Sequence, residues 1–188
     1  MIRWVKFFLF TLMLTLPTIA YSDLQPHVPA FAKALKIRLG VDAERLLESK
    51  LGKGKATLGG HSNSGRVWVY RNGLELYSDA FDRIGNNLIL DTLAFSGWKG
   101  RLGDTKELGA LGVGVWSNLR IGMTPKECLS SLSKELPNFI RSKDRLVWEQ
   151  NLPGMRNGKP GTFSYKTSLE FADGRLKSLL LEGGFIEK

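Results

Sequence analysis

The clearest pattern of apolar and polar positions lies between Leu119 and Leu136. Cys128, Leu129, Leu132 and Leu136 recur at helical spacing, while Lys126, Ser130, Ser131 and Lys134 fall on or near the other face. Thr124 can cap the start of this helix, because its hydroxyl accepts from a free backbone N–H two or three residues on. Pro125 then stands where a missing N–H costs nothing. Glu127 completes a capping box with Thr124, and Pro137 ends the helix because it cannot extend the hydrogen-bond ladder. A weaker copy runs from Ile37 to Lys53. Leu35, Ile37 and Leu39 alternate with Lys36 and Arg38, the period of a half-buried strand. Gly40 breaks it, and Asp42 can cap a helix with apolar positions at Ala43, Leu46, Leu47 and Leu51.

The remaining pattern has the period of strands. Gly52 to Gly65 reads as a flexible loop or loose hairpin. Arg66 to Tyr70 is rich in β-branched and aromatic residues, and Asn72-Gly73 predicts a tight turn into Leu74 to Phe81. Gly85-Asn86-Asn87 turns again into Leu88 to Phe95. Gly97 to Gly114 reads as a connection, with a short strand at Val113 to Trp116. Arg145 to Gln150 is a strand, and Asn151 to Gly161, with its prolines and glycines, is a loop. Phe163 to Phe171, a turn at Asp173-Gly174 and Leu176 to Leu181 complete the chain.

These elements repeat in order: glycine, cap, helix, tryptophan-bearing strand, hairpin. The separation of Gly40 from Gly122 is nearly that of Trp68 from Trp148. The expected fold is therefore α+β, with two similar helix-plus-antiparallel-sheet units in tandem. The first unit spans 23–97, a glycine-rich connection 98–116, and the second unit 117–188.

Residues 1–22 change the picture of where the protein works. Arg3 and Lys6 precede an apolar run, Phe7 to Leu16, of signal-peptide length and short for a membrane span. Ala20 and Ser22 predict cleavage after Ser22, hence a periplasmic or secreted protein with no stable membrane span after cleavage. The 188-residue chain carries a formal net charge of +9, which points to anionic surfaces or acidic partners. Export makes nucleic acid a poor partner. The lone Cys128 lies on the apolar helix face, and burial is its expected state.

Three segments carry the resemblance to known families: Gly-Met-Thr-Pro-Lys-Glu at 122–127, Leu-Val-Trp at 146–148 and Leu-Glu-Phe-Ala-Asp-Gly-Arg-Leu at 169–176. The chain resembles the exported SmpA/OmlA-type module and the tandem fold of β-lactamase inhibitory protein, the second half more closely than the first. The resemblance implies a rigid exported module that binds protein through a sheet face or loops. The chain departs from both families, lacking the lipid-anchor cysteine of one and the disulfides of the other. Small exported immunity proteins against secreted toxins offer a similar reading.

Catalytic chemistry finds little support. Gly52-Lys53-Gly54-Lys55 lacks the spacing of a phosphate loop, since Ala56 follows Lys55. In Gly60-His61-Ser62-Asn63-Ser64-Gly65 a nucleophile elbow is only loosely matched, and the other histidine is His27. Two histidines and one cysteine, far apart, give no metal cluster, and no cofactor is expected. Glu75, Asp79, Asp82 and Asp91 lie on adjacent predicted strands and could converge as paired carboxylates. A solvated sheet edge is the simpler account of them.

Aromatic residues give the candidate contact surface. Arg66, Trp68 and Tyr70 share one strand face by alternation; Trp and Tyr dominate interface hot spots but also fill cores, and Tyr77 and Phe81 admit the same two readings. The predicted partner-binding set is Arg66, Trp68, Tyr70, Tyr77 and His61. The expected function is a non-enzymatic, inhibitor- or immunity-like protein-binding module. Its partner would be an envelope protein, a toxin or a hydrolase. The alternatives are an envelope-surface binder of anionic lipid or glycan, an outer-membrane assembly factor and, last, a hydrolase using the His61–Ser62 loop.

Overall fold

The structure, a computed structural model, describes residues 37–57, 65–106, 108, 111, 114–132 and 139–188. The leader, the Gly60–Gly65 motif up to Ser64, and the helix stop at Pro137 lie outside the described residues.

The chain runs through helix α1 (Glu44–Leu51) and strands β1 (Lys55–Ala56), β2 (Arg66–Val69), β3 (Glu75–Ile84) and β4 (Asn87–Ser96). Short 3-10 turns follow at Leu102–Asp104 and Gly114–Asn118. Helix α2 (Pro125–Leu132) then leads into β5 (Ile140–Ser142), β6 (Arg145–Arg156), β7 (Lys159–Ala172) and β8 (Arg175–Glu187). Among the described residues the eight strands form one antiparallel sheet in the order β1-β2-β3-β4-β8-β7-β6-β5.

This corrects the expectation of two helix-plus-sheet units. The last strand of each half pairs with the other, Thr92–Ser96 against Ser178–Glu182. Leu93 stands opposite Leu181, and Phe95 opposite Leu179. All four are buried, so the seam between halves is the middle of one core. Two separate four-strand sheets would expose these apolar edges to water.

The capping box forms as its residues dictate. The Glu127 N–H donates to Thr124 Oγ1 at 3.3 Å, and the Thr124 N–H donates to Glu127 Oε2 at 2.7 Å. The Thr124 N–H and, at 2.8 Å, the Thr124 hydroxyl both donate to the Glu127 carboxylate and hold it below its ordinary pKa. Cys128 and Leu132 are buried. Asp42 behaves differently from its predicted capping role. Ala43 occupies the cap position of α1 without a side-chain bond. The Asp42 carboxylate instead accepts from the Arg38 N–H at 2.7 Å and from its guanidinium at 2.9 Å.

Other boundaries shift too. Ile37 and Leu39 are buried, but they lie in bends and turns rather than a strand. The strand expected within Val113–Trp116 is replaced by the 3-10 turn at Gly114–Asn118. The loop expected over Asn151–Gly161 is a long hairpin, with Pro153 opposite Thr162 and Met155 opposite Pro160. Its turn is Asn157-Gly158, both residues at positive φ (54° and 78°). That twist suits a two-residue hairpin.

One sheet face is covered. Leu47, Cys128, Leu132, Trp98, Leu102, Leu108, Leu111, Trp116 and Leu119 pack in one core with Trp68, Leu76, Phe95, Leu146, Trp148, Leu169 and Leu179. The two helices and the glycine-rich connection thus form the second layer. The Trp98 indole donates to the Leu119 carbonyl at 3.1 Å, which ties that connection down.

Candidate functional site

Strand alternation fixes what remains on the other face. Across β2, β3, β4, β8, β7, β6 and β5 the register aligns Val67, Tyr77, Ala94, Leu180, Ser168, Val147 and Ile140. Each of these alternates with a core-facing neighbour, so the row lies on the face away from the helices. At ordinary strand spacing, seven strands carry this row over about 29 Å. It is apolar except at Tyr77 and Ser168. Val69, Phe81, Ile140 and Ile186 are each about two-thirds exposed, and all four belong to this face.

Charges flank the apolar row. One neighbouring row holds Glu75, Ser96, Ser178, Glu170 and Arg145. The other holds Asp79, Thr92, Glu182, Lys166 and Glu149. Carboxylates outnumber bases, and both bases are engaged. Arg145 pairs with Glu170 at 3.0 Å, and Lys166 with Glu182 at 3.3 Å. The face is acidic on a basic chain.

A cleft opens where the sheet forks. The pairing of β4 with β8 stops at Thr92 and Glu182. Register shifts around Ala80 throw Asp91 and Phe81 out of the β3–β4 ladder as bulges. On the helix side, the segment before α1 fills the fork. The Gly40 N–H donates to the Leu90 carbonyl at 2.8 Å, and the Leu90 N–H donates to the Asp42 carbonyl at 3.0 Å. On the open side about 450 Å³ remains, lined by Phe81, Asp91, Thr92, Ser164, Lys166, Glu182, Gly183, Gly184 and Ile186. The Asp91 carboxylate is fixed there, accepting from the Phe81 N–H at 2.6 Å and the Thr92 hydroxyl at 2.7 Å.

The residues singled out in the sequence separate between the faces. Arg66 is half-buried on the helix side and pairs with Glu48 at 3.3 Å. Trp68 lies in the core, 6% exposed, and its indole N–H donates to the Gly52 carbonyl at 2.9 Å. A Cβ at Gly54 would fall 2.8 Å from that indole. The Gly-Lys-Gly-Lys stretch therefore seats a tryptophan. Tyr70 packs half-buried against the core beyond the end of β2. Their shared face is thus the covered one. Tyr77 alone of the described set lies on the open face, where its hydroxyl donates to Asp79 at 3.2 Å. Burial first, then the Asp79 and Asp91 charges, push its phenol above the ordinary pKa. His61 lies outside the described residues.

Of the carboxylates read as a possible pair, Asp79 and Asp91 both act on the Tyr77 phenol and raise its pKa. Asp82 instead serves the fork from the other side, bound by Arg156. Leu180, Val147, Ile140 and Ile186 carried no functional expectation. Alternation in β8 would have set Leu180 and Ile186 apart from Leu179, Leu181 and Phe185, but only the pairing partners show which set is covered.

Among the described residues no group of histidine, cysteine and acidic side chains is arranged to hold a metal ion. No described helix is long and apolar enough to cross a membrane. Comparison of the chain with protein-family models, with curated proteins and with solved structures finds no match.

Proposed function

We propose that the chain is an exported protein-binding module, inhibitor- or immunity-like, that docks a partner protein on the open face of its sheet. The observation that carries this reading is the apolar row across seven strands, with Ile140 exposed at its end and Val69, Phe81 and Ile186 exposed around it. An antiparallel sheet with one solvated face ordinarily alternates apolar-in with polar-out. A contiguous apolar stripe with a charged rim is instead the anatomy of an interface. The sheet is also a stiff platform, which limits the ordering cost of association.

The test is capture from an envelope extract by immobilised mature protein, repeated with Ile140→Asp and Phe81→Asp. Both positions are exposed, so folding, followed by circular dichroism, is expected to persist. One stoichiometric partner that is lost with both variants, and retained with Lys126→Glu on α2, supports open-face docking. Retention by both open-face variants, or no stoichiometric partner at all, overturns it.

A further inference from the structure

We propose that the groove between the entry of α2 and the β7–β8 turn is a binding site for a phosphodiester group, with Arg120 and Arg175 as its cationic donors. The groove encloses about 480 Å³ and its lining is mainly polar. Two backbone bonds build it. The Gly122 N–H donates to the Leu176 carbonyl at 2.9 Å, and the Leu176 N–H donates to the Met123 carbonyl at 2.7 Å. These bring the Arg120 end of the α2 entry beside Arg175, the first residue of β8. Arg175 Nη1 donates to the Gly122 carbonyl at 3.2 Å, which holds its guanidinium at the groove.

The charge of the groove is unbalanced. Glu127 is the one carboxylate among the described residues of the lining. It already accepts from the N–H and the hydroxyl of Thr124, and both arginines act on it through charge alone. Among the described residues neither guanidinium forms an ion pair. Two positive charges over one negative leave an excess equal to the single charge of a phosphodiester. A guanidinium is a rigid fork that matches phosphate oxygens, and a tetrahedral phosphate presents oxygens to two forks at once. A carboxylate is satisfied by one. The exposed Ser131 adds a hydroxyl from α2. Side chains are the donors here, since the Glu127 N–H at the start of α2 is taken by Thr124. Ile121, 37% exposed in the lining, offers an apolar contact to the organic group esterified to the phosphate. No residue of the groove belongs to the apolar row, so this site stands or falls independently of open-face docking.

The experiment is amide NMR titration of the full-length mature protein with dimethyl phosphate. Sodium acetate is the comparator of equal charge, and sodium chloride holds the ionic strength constant. The expected result is saturable shifts at Gly122, Met123 and Ser131 with dimethyl phosphate, and binding of acetate about tenfold weaker. The Arg120 side chain makes no hydrogen bond among the described residues, so Arg120→Gln leaves the fold intact. It weakens dimethyl phosphate binding about tenfold, and Arg175→Gln does the same. Lys177→Gln, an equal charge change on β8 outside the groove, alters binding less than about twofold. Equal binding of acetate, no saturable shift, or an unchanged response in Arg120→Gln each overturns the site. Should Arg175→Gln fail to fold, Arg120→Gln decides the outcome alone.

Co-sedimentation with phosphatidylcholine vesicles, with and without phosphatidylglycerol, identifies what bears the phosphate. Binding that requires phosphatidylglycerol, is lost in Arg120→Gln and is kept in Lys177→Gln supports the site with a lipid headgroup as its ligand. A positive titration without vesicle binding supports it with a soluble ester as its ligand. Vesicle binding weakened equally by both variants is general surface attraction and overturns the groove as a lipid site.

Discussion

The guanidinium carbon of Arg156 lies 4.6 Å from the centroid of the Phe185 ring. The same side chain donates to the Gly40 carbonyl at 3.3 Å and pairs with Asp82. One residue near the end of β6 thus ties together β8, β3 and the segment before α1. It closes the fork on the helix side, behind the cleft. Phe185 in turn packs on Phe163 at 4.7 Å between ring centroids, so the clasp is continuous with the core.

Loss of that clasp should be costly. Arg156→Ala removes a cation–π contact, a carbonyl hydrogen bond and a partly buried ion pair, together about 1–3 kcal/mol. Arg156→Lys keeps the charge but not the planar fork that serves several partners, and should recover only part of the loss. Urea denaturation of the two variants and the parent gives the comparison. Equal stability of all three would show that the clasp is not structural.

Adjacent glycines should respond oppositely. A Cβ on Gly183 would stand 2.5 Å from Leu39 Cβ and 3.1 Å from its carbonyl carbon. Backbone must move to admit it, and Gly183→Ala should cost about 1–3 kcal/mol. Gly184 has open space at the same position. Gly184→Ala should stay within about 0.5 kcal/mol of the parent. Thermal melts of both alanine variants check the contrast, and a neutral Gly183→Ala contradicts the packing of Leu39 against β8.

Glu44 makes stability depend on pH in a stated direction. It is buried in α1, and desolvation raises its pKa, opposed by Arg66 and assisted by Glu48 and Asp79. A folded pKa above the unfolded one favours the protonated form in the native state. Its stabilising contribution is full below the ordinary carboxylate range and is lost as pH rises through the folded pKa. Glu44→Gln should therefore melt higher than the parent at pH 7, and the difference should vanish below about pH 4. A lower melting temperature for the variant at pH 7 would show that Arg66 dominates over burial.

The thiol should be inert while the protein is folded. Cys128 is buried, and desolvation, with the Glu127 charge behind it, pushes its pKa up to about 12. The thiolate is the reactive form. An aromatic disulfide reagent at pH 8 should consume no thiol in the native protein and one equivalent in denaturant, since the chain has one cysteine. Rapid native reaction would show that α2 opens readily.

Much of this structure is visible in residue order because its causes are local. Thr124 and Glu127 are three residues apart, so their reciprocal bonds form whatever the rest of the chain does. Asn72-Gly73 and Asp173-Gly174 turn where those residue types tolerate the backbone. Asn157-Gly158 carries the same signal, but Pro153 and Pro160 on either side read as loop. Proline is compatible with a strand where its missing N–H faces away from a paired neighbour, and that depends on which strand lies alongside. Asp42 illustrates the opposite limit. Its composition suits a cap, but the nearer donors of Arg38 take its oxygens.

By itself, then, the sequence determined the α2 cap, the turn pairs, the strand alternation and the apolar side of Cys128. Each depends on neighbours within a few residues. Tertiary structure decided that β4 meets β8, which face the helices cover, and that β4 and β8 part to leave a cleft. Those outcomes come from contacts between residues far apart in the chain. Alternation divides a strand into two sets, but the pairing of distant strands alone selects the set that meets water. Trp68 and Tyr77 differ in that respect, and no local pattern separates them.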